Sequence, residues 1–293
     1  MTLDFTGRVA IVTGAGGGLG RQHALGLAAR GAKVMVNDLA AAQGVVDEIK
    51  AAGGEAIANN ASVTDFAAVQ AMVQQAVDAW GRVDILVNNA GILRDKSFAK
   101  MDLADFQLVV DVHLMGAVNC SKAVWALMNE QKYGRIVMTT SSSGLYGNFG
   151  QSNYGAAKLA LVGLMQTLSI EGAKNDIRVN CLAPTAATRM TEDLFPKEML
   201  EAFRPEAVVP AMLVLAAQDA PNRTILCAGA GTFEAAHITL TQGAWLGIAA
   251  DTPEQLAARL ADVTERADEV VPQSGAAQGS NEVAKGMANT GRR

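Results

Sequence analysis

The chain is poor in the features that define several protein classes. It has three cysteines, Cys120, Cys181 and Cys227, an odd number set far apart. They make neither a disulfide framework nor a zinc site, so no metal is expected and the thiols read as reduced. No segment holds about 18 consecutive apolar residues, and Met1 to Arg8 lacks the charged and apolar regions of a secretion signal. No membrane span is expected. The last residues, Gly291-Arg292-Arg293, carry no peroxisomal address, and a cytoplasmic protein is the expectation. Basic runs are also missing. With 24 basic against 29 acidic residues the net charge is −5, which argues against nucleic-acid binding.

What the chain does have is 293 residues, half of them hydrophobic. That is enough for one large core. Short apolar runs alternate with helical periodicities. Val9–Val12, Lys33–Val36, Glu55–Ala58, Ile85–Val87, Arg135–Thr139 and Arg178–Leu182 read as strands, with Ile225–Cys227 as a final one. Between them, Leu19–Arg30, Ala40–Ala52, Thr64–Trp80, Leu103–Met128 and Asn153–Ala173 read as helices. Met190–Phe203, Pro205–Ala217 and Pro253–Ala267 continue the helical pattern. Continuously apolar strands separated by helices predict an α/β, doubly wound parallel sheet covered on both faces. One domain over residues 1–271 is expected, with a substrate region from about 185. Residues 272–293 have little to bury and read as a poorly ordered tail.

Thr13-Gly14-Ala15-Gly16-Gly17-Gly18-Leu19-Gly20 follows the first strand and opens the first helix. Glycine there lets a pyrophosphate approach the backbone, and the helix start offers unpaired N–H groups. Asp38 ends the second strand. An acidic side chain at that point accepts hydrogen bonds from the ribose hydroxyls of NAD and repels the extra phosphate of NADP. Gly17 is uncharged where a basic residue would favour that phosphate. A bare turn and a solvated loop acid are the competing explanations.

Tyr154 and Lys158 stand four apart at a helix start, one turn apart on one face. A nearby ammonium favours the phenolate and would fit the tyrosine for proton transfer with an alcohol. Alone, such a pair is weak evidence, because wet helix faces carry many.

Taken together, Thr13-Gly14-xxx-Gly18-x-Gly20, Asn88-Asn89-Ala90-Gly91, Ser141, Tyr154-xxx-Lys158 and Pro184 with Thr188 resemble the short-chain dehydrogenase/reductase family. The resemblance spans residues 5 to about 190 and implies a Rossmann-like fold of about seven parallel strands. It implies catalytic roles for Ser141, Tyr154 and Lys158, and a cofactor site of Gly14, Gly18, Leu19, Gly20, Asp38, Asn89, Tyr154, Lys158 and Thr188. Ser62 and Val63 would meet the adenine, since Ala61 stands where an Asp often does. His113 stands at the family's fourth catalytic position, usually Asn. It either does that residue's job or is a core imidazole. Asn89–Phe98, Asp111–Leu114, Tyr146–Gln151 and Arg189–Thr191 are similar to the dehydrogenase module of peroxisomal multifunctional enzymes of type 2 and their bacterial relatives. This implies NAD-dependent oxidation of a (3R)-3-hydroxyacyl-CoA, with an acyl group that extends to steroid side chains, by a homodimer or homotetramer; with no hydratase or sterol-carrier segment following, a stand-alone dehydrogenase is expected. A free hydroxysteroid or alcohol dehydrogenase, and a catalytically silent NADH-binding protein, are the alternatives.

Overall fold

A computed structural model describes residues 3–187 and 197–290 of the chain. It has two compact units, Met1–Ala235 and Ala236–Arg293.

The first unit is built on a sheet whose strands are β1 (Val9–Thr13), β2 (Lys33–Asn37), β3 (Glu55–Asn59), β4 (Ile85–Asn88), β5 (Gly134–Thr139), β6 (Ile177–Pro184), β7 (Ile225–Gly229) and β8 (Thr232–Ala236). They lie in the order β3-β2-β1-β4-β5-β6-β7-β8. The pairs from β3 across to β7 are parallel, as in Ile11 opposite Met35 on one side and Leu86 on the other. Every residue of β1, β4 and β5 is buried, the pattern of strands covered on both faces.

The eighth strand was not expected. It follows β7 through Ala230 and Gly231, both at positive φ, the backbone of a two-residue hairpin turn. An alanine in that conformation gives no turn signal.

The helices of this unit are α1 (Gly18–Ala28), α2 (Ala42–Ala51), α3 (Phe66–Trp80), α4 (Leu103–Val110), α5 (Gly116–Gln131), α6 (Ser142–Tyr146), α7 (Ser152–Gly172), α8 (Lys197–Ala202) and α9 (Val209–Ala216). The long helix expected over Leu103–Met128 is interrupted by a π-helical turn at Asp111–Met115. Of the helix expected over Met190–Phe203, only α8 lies within the described residues.

The order of strands reverses between β1 and β4. That point opens a crevice at the carboxyl ends of the strands, where sheets of this kind hold ligands. The opposite ends are tied by charge. The buried Asp84 carboxylate, just before β4, accepts from Arg8, Arg82 and the Val9 amide at 2.6–3.0 Å. The fully buried Arg135 guanidinium at the start of β5 donates to Asp176 and to four backbone carbonyls at 2.6–3.0 Å.

The second unit contains α10 (Thr252–Ala258), α11 (Leu260–Thr264) and α12 (Ala276–Thr290). The helix expected over Pro253–Ala267 is thus two short ones. The segment expected to be a poorly ordered tail holds the 15-residue α12.

Candidate active site

The carboxyl ends of the central strands surround a cleft of about 760 Å³. At one end is the turn after β1. Gly14 has a φ of +60°, and a Cβ there would lie 2.7 Å from the Ala90 backbone. The Thr13 hydroxyl accepts from the Asn89 and Ala90 amides at 3.0 and 3.1 Å. The Asn89 side-chain amide donates back to the Thr13 and Gly14 carbonyls. Asn89 therefore both lines the cleft and braces the glycine turn.

The Asp38 carboxylate enters the same end. It accepts from the Gly16 amide at 3.1 Å and from the Ala40 and Ala41 amides at 3.1 and 3.0 Å. A Cβ on Gly16 would sit 2.6 Å from its carboxyl carbon. The glycine at 16 is what lets an acid share this turn. Gly14, Gly18, Leu19 and Gly20 line the cleft with it. An N–H-rich helix start with an anion-repelling acid beside it fits a dinucleotide whose ribose hydroxyls are free, so NAD fits these residues and NADP does not.

Ser62 and Val63 lie in the connection between β3 and α3 and are not among the residues that line this cleft. The Ser62 hydroxyl bonds with that of Thr64 at 2.8 Å. The Val63 carbonyl accepts from Asn119 at 2.9 Å, and its side chain lies against Gly116. Thr188 lies outside the described residues.

At the other end, Ser141 caps α6, its hydroxyl accepting from the Ser143 amide at 3.2 Å. Tyr154 and Lys158 come from the first turns of α7. All three line the cleft with His113. Lys158 is wholly buried, and its Nζ donates to the Thr139 carbonyl at 2.5 Å. Burial pulls its pKa down from 10.5 to about 7. Its Nζ lies 5.5 Å from the Tyr154 ring centre.

The phenol does not have the lowered pKa that the Tyr-Lys spacing suggested. Burial pushes Tyr154 above the ordinary phenol value, the Ser141 hydrogen bond opposes this, and the Asp95 charge adds to it. Desolvation of the phenolate wins over the partners present.

His113 sits in the π turn with its ring edge-on to Tyr154, centroids 5.1 Å apart. Its Nε2 is within 3.1 Å of the Ile92 amide and 2.8 Å of the Ile92 carbonyl, while Nδ1 is buried without a partner among the described residues. Burial first, then the Lys158 charge, drops its pKa to about 3. The imidazole is neutral at physiological pH and holds the loop after β4. A Cβ at Gly91 would overlap that ring.

Cleft residues that the sequence reading did not single out include Leu93, Ser143 and Gln151. Gln151 stands three before Tyr154, and that spacing was the available signal. Among the described residues no group of acids, histidines and cysteines could hold a metal ion, and no helix is long and apolar enough to cross a membrane.

A family model described as short chain dehydrogenase matches residues 8–199. The peroxisomal multifunctional enzyme type 2 of Drosophila melanogaster is 48% identical over 263 residues, covering 86% of this chain and 44% of that protein. The full-length structure of that fly enzyme superposes with a TM-score of 0.84 at 39% identity, over 98% of this chain and 50% of that one. A short-chain type dehydrogenase/reductase of Mycobacterium tuberculosis is 46% identical over 273 residues, 88% of this chain and 94% of that protein. A 7α-hydroxysteroid dehydrogenase, solved with NADH and 7-oxo glycochenodeoxycholic acid, superposes with a TM-score of 0.73 at 32% identity, over 78% of this chain and 95% of that one. The chain spans 52% and 44% of the multifunctional enzymes of Dictyostelium discoideum and Drosophila melanogaster, and 24–30% of those of yeast, mouse and Neurospora crassa.

Proposed function

The chain belongs to the short-chain dehydrogenase family, oxidoreductases that act on CH–OH groups with NAD(H), and we propose that it oxidises the secondary alcohol of a (3R)-3-hydroxyacyl-CoA to the 3-oxoacyl-CoA. The observation that carries the reading is the convergence of Ser141, Tyr154 and Lys158 on one cleft that runs on to the glycine turn and Asp38. NAD, when bound, supplies the hydride acceptor. The protein's own groups manage the proton and the oxygen. Ser141 holds the reacting oxygen by its hydroxyl. Tyr154 takes the hydroxyl proton, or returns it in the reverse direction. Lys158, when protonated, adds a positive charge that favours the phenolate, and its tie to the Thr139 carbonyl fixes where that charge sits. The Asp38 carboxylate is proposed to accept from the ribose hydroxyls, and Asn89 to keep the turn in shape for the pyrophosphate. His113 is proposed to hold the loop after β4 and to pack the tyrosine ring.

The thioester is the finer part of the proposal. Its support is the likeness to multifunctional enzymes, one group of which is named hydratase-dehydrogenase-epimerase. Such acyl groups include bulky ring systems. A second reading, a dehydrogenase of free hydroxysteroids, is favoured by the likeness to the 7α-hydroxysteroid enzyme. We place the enzyme in the cytoplasm as a homodimer or homotetramer. Buried, unpaired Cys120 and Cys181 suit a reducing compartment, while the word peroxisomal stays with the relatives.

NADH formation measured against CoA thioesters of varied acyl size and against free hydroxysteroids separates the readings. Turnover of a 3-hydroxyacyl-CoA, lost in Tyr154→Phe, is expected. Turnover of the free steroids alone would overturn the thioester. Tight NADH binding with no turnover of any alcohol would leave only a binding protein.

A further inference from the structure

The loop after β4 does more than line the cleft. Three consecutive residues of it take hold of the segment that leads into Tyr154. The Arg94 carbonyl accepts from Asn153 Nδ2 at 3.0 Å. Asp95 Oδ2 accepts from Gln151 Nε2 at 2.7 Å. The Lys96 amide donates to the Gly150 carbonyl at 2.9 Å. Two of these use the loop's main chain, which almost any residue supplies. Asp95 alone uses its side chain.

That choice of side chain has a consequence for Gln151. A carboxylate has no proton to give, so it selects the NH2 end of the glutamine amide and turns the carbonyl end the other way. The freed Oε1 accepts from the Ser143 hydroxyl at 2.7 Å and from Asn148 Nδ2 at 3.1 Å. The Ser143 amide in turn donates to the Ser141 hydroxyl. One carboxylate therefore orders both the first turn of α7, which carries Tyr154, and the cap of α6, which is Ser141. Gln151 is buried, so each end of its amide needs its partner.

Among the described residues Asp95 makes no ion pair. Its neighbours Arg94 and Lys96 turn instead to Asp105, and Lys96 also to Asp102. The Asp95 carboxylate, on the exposed side of the loop, is left with Gln151 at the start of α7 as its partner.

We propose that Asp95 is a positioning residue of this site, holding the Tyr154 and Ser141 hydroxyls in register through Gln151 and keeping its negative charge at the start of α7. The charge opposes phenolate formation, in line with the raised pKa of Tyr154. The inference rests on Tyr154 being the acid/base of the proposed function, and its test includes a measurement that needs no substrate.

The chain has only three tyrosines. Tyrosinate absorbance of the full chain, minus that of Tyr154→Phe, therefore reports one phenol. In Asp95→Asn, which keeps an oxygen for Gln151 but loses the charge, that midpoint is expected to move to lower pH. The pH profile of turnover, for whichever alcohol the enzyme accepts, should move the same way. In Asp95→Ala the anchor is gone, and kcat should fall roughly ten- to hundredfold, the cost of a misplaced reacting group. Asn should restore most of that loss. An unmoved tyrosine midpoint in Asp95→Asn would overturn the proposal, whether or not any alcohol is turned over. So would an unmoved pH profile with a loss in Asp95→Ala that merely tracks reduced thermal stability. Failure of the wild type on every alcohol would count against the proposed function, while the absorbance titration would still decide the role of Asp95.

Discussion

Replacing Lys158 by methionine should stabilise the fold at pH 6 while abolishing catalysis. The side chain is fully buried, and its one hydrogen bond goes to the Thr139 carbonyl. The fall of its pKa from 10.5 to about 7 corresponds to about 5 kcal/mol of penalty on the charged form. The sign follows from proton linkage. Below pH 7 both folded and unfolded chains carry the ammonium, and the folded state bears the whole penalty. Between pH 7 and 10.5 only the unfolded chain is protonated, so stability rises with pH; above 10.5 the penalty is gone. Methionine removes the penalty but strands the Thr139 carbonyl, at about 1–3 kcal/mol. The net gain at pH 6 is about 2–4 kcal/mol, or about 5–15 °C in Tm for a unit of this size. Near pH 10 the gain should vanish or reverse. Thermal melts of Lys158→Met and wild type at pH 6, 8 and 10 read this directly. A variant no more stable than wild type at pH 6, or equally stabilised at all three, would refute the reasoning.

Two further outcomes are expected. His23 on α1 is fully buried with neither ring nitrogen bonded among the described residues, and burial drops its pKa from 6.5 to about 4. The unfolded chain binds the extra proton in that window, so wild type should lose up to about 3 kcal/mol as pH falls from 6.5 to 4. His23→Leu should lose correspondingly less, as measured by urea unfolding at pH 4.5 and 7. Asp38→Ala should raise the KM for NAD roughly ten- to hundredfold, the worth of about 1.5–3 kcal/mol in hydrogen bonds to a charged group. Its relative use of NADP should rise, as seen by comparing kcat/KM for the two cofactors.

The central strands β1, β4 and β5 were readable because burial on both faces leaves apolar runs such as Val9-Ala10-Ile11-Val12. The glycine turn and Asp38 stand out in the sequence as a strand-to-helix turn and Tyr154 with Lys158 as a pair one helical turn apart, whereas Ser141 rests on the family resemblance alone. Nothing in the spacing of Ser62 and Val63 reveals their bonds to Thr64 and Asn119. The π turn was invisible because its residues share the apolar periodicity of the helices on either side. The last helix, α12, has only Val283 and Met287 as large apolar residues, and both are exposed. A pattern read for burial misses such a helix, although its Ala, Gln, Glu and Lys favour the conformation. Gln151 and Asp95 escaped because their meaning lies in a contact between segments 56 residues apart.

The two ends of the sheet treat buried polarity in opposite ways, a contrast that agrees with the chemistry proposed for the carboxyl ends. At the amino ends, Asp84 and Arg135 are buried charges with every group matched, and Tyr133 lies between the Arg8 and Arg135 guanidinium groups at 3.7 and 4.2 Å. Such a network holds one arrangement rigidly. At the carboxyl ends, His113 Nδ1, Asn88 Oδ1 and Thr139 Oγ1 are buried without partners among the described residues, and Lys158 keeps a depressed pKa. A sequence selected for stability alone would fill or remove these groups. Under the proposed function these unmatched groups cost stability at the end of the sheet where Tyr154 would move a proton, and His23 on α1 shows that such costs also fall elsewhere. The cost at Lys158 also explains why Lys158→Met should raise Tm and end turnover in a single substitution.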